Sequence, residues 1–163
     1  MSSALKFIYT LFLGILVAIF VALGITAFYP APTPPEGISE QGYEKALPTV
    51  ETPAQKKAQE ELNKELAEYE KEMGIYTRNV FIIALTAAII ILVISLTTVR
   101  KIDVIADGLL LGGTLTLFYS IGMGAMTPDN KFRFLAVSVG LLVTLAVGYI
   151  KFIKGQEEIK KGE

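Results

Sequence analysis

Residues 79–99 read NVFIIALTAAIIILVISLTTV and lie between Arg78 and Arg100 with no charge of their own. That length is about what an α-helix needs to cross a ~30 Å hydrocarbon layer. Three more charge-free, mostly apolar stretches flank it, at Phe7 to Tyr29, Gly108 to Thr127 and Phe134 to Ile150. Four such stretches in 163 residues predict a polytopic membrane chain. The expected fold is an all-α integral membrane protein. It is an antiparallel four-transmembrane-helix bundle with a long external helix continuous with the second span.

Composition agrees and narrows the chemistry. A mean hydropathy of +0.52 fits a chain about half embedded in lipid. Too little remains for a separate soluble domain, because chains below about 40 residues rarely fold unaided. Cys and His are both absent, which removes disulfides, thiol chemistry, His or Cys ligation of haem, and most zinc or copper sites. No catalytic, metal or cofactor site is expected, and the commonest general base is missing. A net charge of −1 without a dense Lys/Arg cluster predicts no nucleic-acid partner.

The segments divide as follows: 1–29, the N-terminus and first span; 30–52, a Pro-rich external linker; 53–76, an external amphipathic helix; 77–100, the second span. Then come the third span at 102–126, an external turn at 127–132, the fourth span at 133–153 and a tail at 154–163. The first span is read as an uncleaved anchor. Ile25-Thr26-Ala27 makes a poor cleavage site, and the apolar run exceeds the about 7–15 residues of a cleavable signal.

Lys and Arg near the span ends set the expected threading. Lys6, the Arg100-Lys101 turn and Lys151, Lys154, Lys160 and Lys161 all fall on one side if there are four spans. Arg78, Lys131 and Arg133 fall on the other. The expectation is a multi-pass protein of the cell (plasma) membrane with both termini cytoplasmic. Residues 30–78 are then external, with ten acids against six bases, a net of −4.

Pro30 to Gly37 should be extended polyproline II, a semi-rigid spacer leaving the membrane, with Pro-rich recognition as the sharper alternative. Thr52-Pro53-Ala54-Gln55 reads as a helix start with Thr52 as N-cap. No proline follows until after Val99, so one helix is expected, with Gly74 as the plausible break or bend. Along it Leu62, Leu66, Tyr69, Met73 and Tyr76 form an a/d seam that continues through Val80, Ile83, Ala87 and Ile90. Lys57, Lys64 and Lys71 recur on the opposite side, and Glu65, Glu70 and Glu72 flank the seam.

The bland reading of the seam is a solvated helix lying on its own bundle. The sharper one is a docking helix joining copies or a partner protein. Like-charge contacts across a homodimer cost a few tenths of a kcal/mol each. Burying five large apolar side chains contributes about 1.5–3 kcal/mol each, so repulsion does not forbid self-association.

Within the spans, small residues recur every fourth position. They are Gly14, Ala18 and Ala22; Gly108, Gly112, Thr116, Ser120 and Gly124; and Ala136, Gly140, Thr144 and Gly148. Such stripes let helix backbones approach closely in lipid. Intramolecular packing is the plainer reading of them and assembly the sharper. The second span, rich in Ile, suits a lipid-facing or loosely packed position.

Asp107 is the one acid inside a span, about 9 Å in from Lys101 by helical rise. An intramembrane acid is a functional-site hypothesis by default. Here a structural ion pair with Arg100 or Lys101, or with a lysine after the fourth span, is the plainer reading.

The leading functional expectation is a non-enzymatic membrane assembly or accessory subunit. It would associate with itself as a homo-oligomer, or join a larger membrane complex, through its external helix and small-residue faces. Membrane lipids are its other partner. The alternative is a homo-oligomeric channel or transporter whose polar face would be Thr114, Thr116, Tyr119, Ser120 and Thr144. An intramembrane enzyme would need clustered acids or a nucleophile–base pair, and the spans offer none.

Overall fold

A computed structural model describes residues 3–35, 53–97 and 103–154. These residues form four helices and, among them, no strand. The helices are α1 (Ser3–Phe28), α2 (Pro53–Thr97), α3 (Asp103–Ala125) and α4 (Asn130–Gly148), the last running on into a π-helical turn at Tyr149–Lys154. Each contains a stretch long and apolar enough to cross a membrane.

Each boundary has a local cause. Pro30 lacks the N–H that would continue α1, so that helix closes with Tyr29 N–H donating to the Ile25 carbonyl at 2.7 Å. Pro128 stops α3 in the same way. Asp129 then caps α4, its carboxylate accepting from the Lys131 N–H at 2.9 Å. The external turn expected at 127–132 is therefore shorter, and Lys131 and Arg133 sit in the first turn of α4. Thr52, the expected N-cap of α2, lies outside the described residues.

Helix α2 runs unbroken for 45 residues, about 67 Å at the standard rise. Gly74 does not break it. A Cβ there would meet Pro128 Cδ at 3.1 Å, so this glycine lets the α3–α4 turn lie against the helix. Thr77 and Thr127 hydrogen-bond across the same contact at 3.2 Å, and the Arg133 Nε–H donates to the Thr127 carbonyl at 2.7 Å.

Helix α3 is the hub. As α2 is followed from Thr77 to Ser95, its partners on the α3 side fall from Thr127 to Ala106. Leu13 and Val17 of α1 seat on Gly108 and Gly112. Ala136 and Gly140 of α4 meet Gly124 and Ile121. The largest fully buried side chains are Val80, Thr116 and Ser120, of which Val80 packs with Ile25 and Ala84 and Ser120 bonds to Phe81 of α2.

The Ile-rich second span is thus not loosely packed. Phe81, Ala84, Ala88, Leu92 and Ser95 are buried along one side of it, while Ile82, Ile83, Ile89, Ile90 and Ile94 face outward. Ala84 and Ala88, four apart, are fully buried on that side, Ala84 in a cluster with Ile25, Tyr76 and Val80. Ile-rich composition correctly marks the outer face and hides the inner one.

Candidate interaction surfaces

The seam on the outer half of α2 is built by helical spacing and anchored at its base. Tyr76 is buried with Ile25, Val80 and Ala84, and Met73 packs against that cluster. Tyr29, the residue after α1, stacks on Tyr76 with ring centroids 5.4 Å apart and planes 7° from parallel. Its hydroxyl accepts from Asn79 Nδ2 at 2.8 Å. This clasp turns the chain back, so Thr33, Pro34 and Pro35 border a groove with Glu65, Glu68, Tyr69 and Glu72. The start of the Pro-rich stretch lies along α2 rather than leading away from it.

Farther out, Leu62, Leu66 and Tyr69 are each only half-buried. Lys57, Lys64 and Lys71 are exposed on the far side. The seam does not continue into the second span as a buried line. Val80 is fully buried, but Ile83 and Ile90 are exposed and Ala87 is half-buried. A 3.5-residue repeat drifts by about 20° per heptad on a straight helix, so the strip rotates away from the α2–α3 interface.

The small-residue faces are spent mostly inside the chain. A Cβ on Gly108 would meet the Leu13 side chain at 2.6 Å, and one on Gly112 would meet Val17 Cβ at 2.7 Å. Ser120 Oγ donates to the Phe81 carbonyl at 3.0 Å. A Cβ on Gly124 would stand 2.6 Å from Ala136 Cβ, and one on Gly140 would run into the Ile121 side chain. Gly148 does not join this packing, since nothing lies within 4 Å of where its Cβ would be. One stripe on α3 thus serves three neighbours, because a four-residue step advances each small residue by about 40° around the helix.

Asp107 pairs with Lys151, Nζ to Oδ1 at 2.9 Å, across 44 residues of sequence. Arg100 and Lys101, the nearer partners expected, lie outside the described residues. Both side chains of the pair are substantially exposed, at 37% and 50%. Solvent screening therefore limits its worth to about 1 kcal/mol or less. Asp107→Asn is expected to lower stability by no more than that, measured by denaturant titration in detergent. An ion or proton flux abolished by this change with the fold intact would favour the transport reading instead.

The hydroxyls proposed for a pore do not share a face. Thr116 and Ser120 are buried, Ser120 against α2, whereas Thr114 and Thr144 are exposed. Thr114, Thr116 and Thr144 each donate to the carbonyl four residues back in their own helix. Ser95 Oγ, donating to the Ala106 carbonyl at 2.7 Å, is an interhelical bond the stripe pattern did not flag. No protein-family model matches this chain, and neither the curated proteins nor the solved structures searched contain a match to it.

Proposed function

We propose that this chain is a non-enzymatic integral membrane subunit that assembles with a second copy or a partner protein through the outer half of α2. The observation that carries the proposal is the half-covered strip Leu62, Leu66 and Tyr69 on a helix projecting beyond the apolar stretch of the bundle. Water-facing apolar strips of this kind mark interaction sites. The clasp at Tyr29 and the contact at Gly74 brace the base of the helix, so a partner would meet a preorganised surface.

In this reading the four helices cross the plasma membrane as an antiparallel bundle. The α3–α4 turn and the outer part of α2 lie outside, and both termini lie in the cytoplasm. The paired hydroxyls favour assembly over conduction, because those buried in the bundle already have backbone acceptors. Determining the native mass and composition of the complex in mild detergent tests the assembly. A monodisperse single copy with no bound partner would contradict it.

The threading has its own test, made simple by the absence of cysteine. A Cys replacing Glu44 is expected to label from outside intact cells, and one replacing Glu158 is not. The reverse pattern would invert the topology.

A further inference from the structure

At the foot of the outer part of α2 lies a cleft of about 220 Å³, between that helix and the α3–α4 turn. We propose that it binds the headgroup of a zwitterionic phospholipid carrying a primary ammonium, of the phosphatidylethanolamine class. This rests on the membrane placement of the bundle proposed above.

Three observations converge. The first is position. Arg78 is the last charge before the apolar stretch of α2, and Asp129 caps the first turn of α4, so the cleft lies at the level where charge gives way to hydrocarbon. Lipid headgroups occupy that level in a bilayer.

The second is charge. Lys71 and Arg78, two helical turns apart on one face of α2, line the cleft together with Glu70 and Asp129. Two cations and two acids share one small space, yet among the described residues none of the four forms an ion pair with another. A phosphodiester offers the acceptor geometry that a guanidinium takes in a fork, and a lysine ammonium supplements it as a point charge. A primary ammonium offers three N–H donors to the carboxylates. A purely anionic headgroup would leave the acids facing it, and a quaternary ammonium would give them no donor.

The third is the apolar floor. Ile75 is exposed beside the charges, and Phe132 lies below, held edge-on against Phe81 at 5.4 Å. These side chains suit the glycerol and first methylenes of a lipid. The volume is below the about 300–1,000 Å³ typical of pockets for whole small-molecule ligands, and fits a headgroup whose chains remain in the bilayer. The walls are fixed by the contact at Gly74 and the Thr77–Thr127 hydrogen bond.

The test uses the full chain in nanodiscs holding equal parts of phosphatidylethanolamine, phosphatidylglycerol and phosphatidylcholine, followed by native mass spectrometry of the lipids retained. The wild type is expected to keep phosphatidylethanolamine at least about threefold over each of the others. The double variant Lys71→Gln and Arg78→Gln should lower its retention about tenfold, the loss expected when charge-assisted hydrogen bonds go. The double variant Glu70→Gln and Asp129→Asn should bring the three lipids to near parity. Asn at position 129 still caps α4, so the helix survives that change. Equal retention by the wild type, a preference for phosphatidylglycerol, or a preference unchanged in the acid-neutral variant would overturn the proposal. Alkaline carbonate extraction of the wild type separates the two layers of inference. A chain that stays in the membrane fraction without lipid preference overturns the headgroup site alone, and a chain released by carbonate overturns the membrane placement as well.

Discussion

Gly112→Ala is expected to force α1 away from α3 and to lower the stability of the bundle by about 1–3 kcal/mol. The new Cβ would stand 2.7 Å from Val17 Cβ, 2.8 Å from its Cγ1 and 3.1 Å from the Gly14 carbonyl oxygen. None of these atoms is the free end of a flexible chain. Val17 is β-branched and stiff about χ1, and the carbonyl belongs to the α1 backbone. Relief therefore requires the whole helix to shift, in an interior packed as densely as a crystal. The helix-propensity gain of alanine over glycine, about 0.5–1 kcal/mol, opposes the loss and does not cancel it. Gly122→Ala is the control on the same helix, because nothing lies within 4 Å of its Cβ position. It should stabilise slightly. Denaturant titration in mixed micelles, followed by helical circular dichroism, checks both. Equal midpoints for the two variants would refute the close approach of α1 to α3.

The contrast between these two glycines marks how far the sequence can be read. Four apolar helices follow from charge-free runs, because in each run length and hydropathy are local properties. The continuity of α2 follows from the absence of proline after Pro53. Gly74 was legible only as a weak helix former, since its use depends on Pro128, 54 positions away. Asp107 was more legible: a lysine after the fourth span was among its expected partners, and Lys151 reaches the acid through the return of α4. The short α3–α4 turn was legible in principle, because Asp129 after a proline is a strong N-cap signal. Ala84 and Ala88 were concealed by the isoleucines around them, which record only the outward face. Which neighbour a small residue serves is a tertiary fact, and periodicity does not encode it.

Leu66→Glu is expected to dissociate the complex proposed above while leaving the bundle folded. The substitution places a carboxylate in the middle of the strip formed by Leu62, Leu66 and Tyr69, where each side chain is half-buried before any partner is added. On association the remaining surface of Leu66 would be covered. An unpaired carboxylate there would have to be desolvated or neutralised, which costs several kcal/mol and exceeds what the lost leucine contacts alone contribute. The bundle is insulated from the change. Its nearest packed contacts on α2 are Met73 against the Tyr76 cluster and Gly74 against Pro128, seven and eight residues and about 10 and 12 Å along the helix from Leu66, just before the Tyr29–Tyr76 stack. The layer between α2 and α3 begins below that stack, at Thr77 and Val80. Lys64→Glu, on the exposed side, changes charge by two units without touching the strip and should leave the native mass unaltered. The measurement is mass by light scattering in mild detergent, with helical content recorded on the same sample. A Cys at position 66 should also react more slowly than one at position 64 in the assembled state. If Leu66→Glu kept the wild-type mass and the two cysteines reacted at one rate, the strip would be solvated, and the assembly function would have to rest on some other face of the molecule.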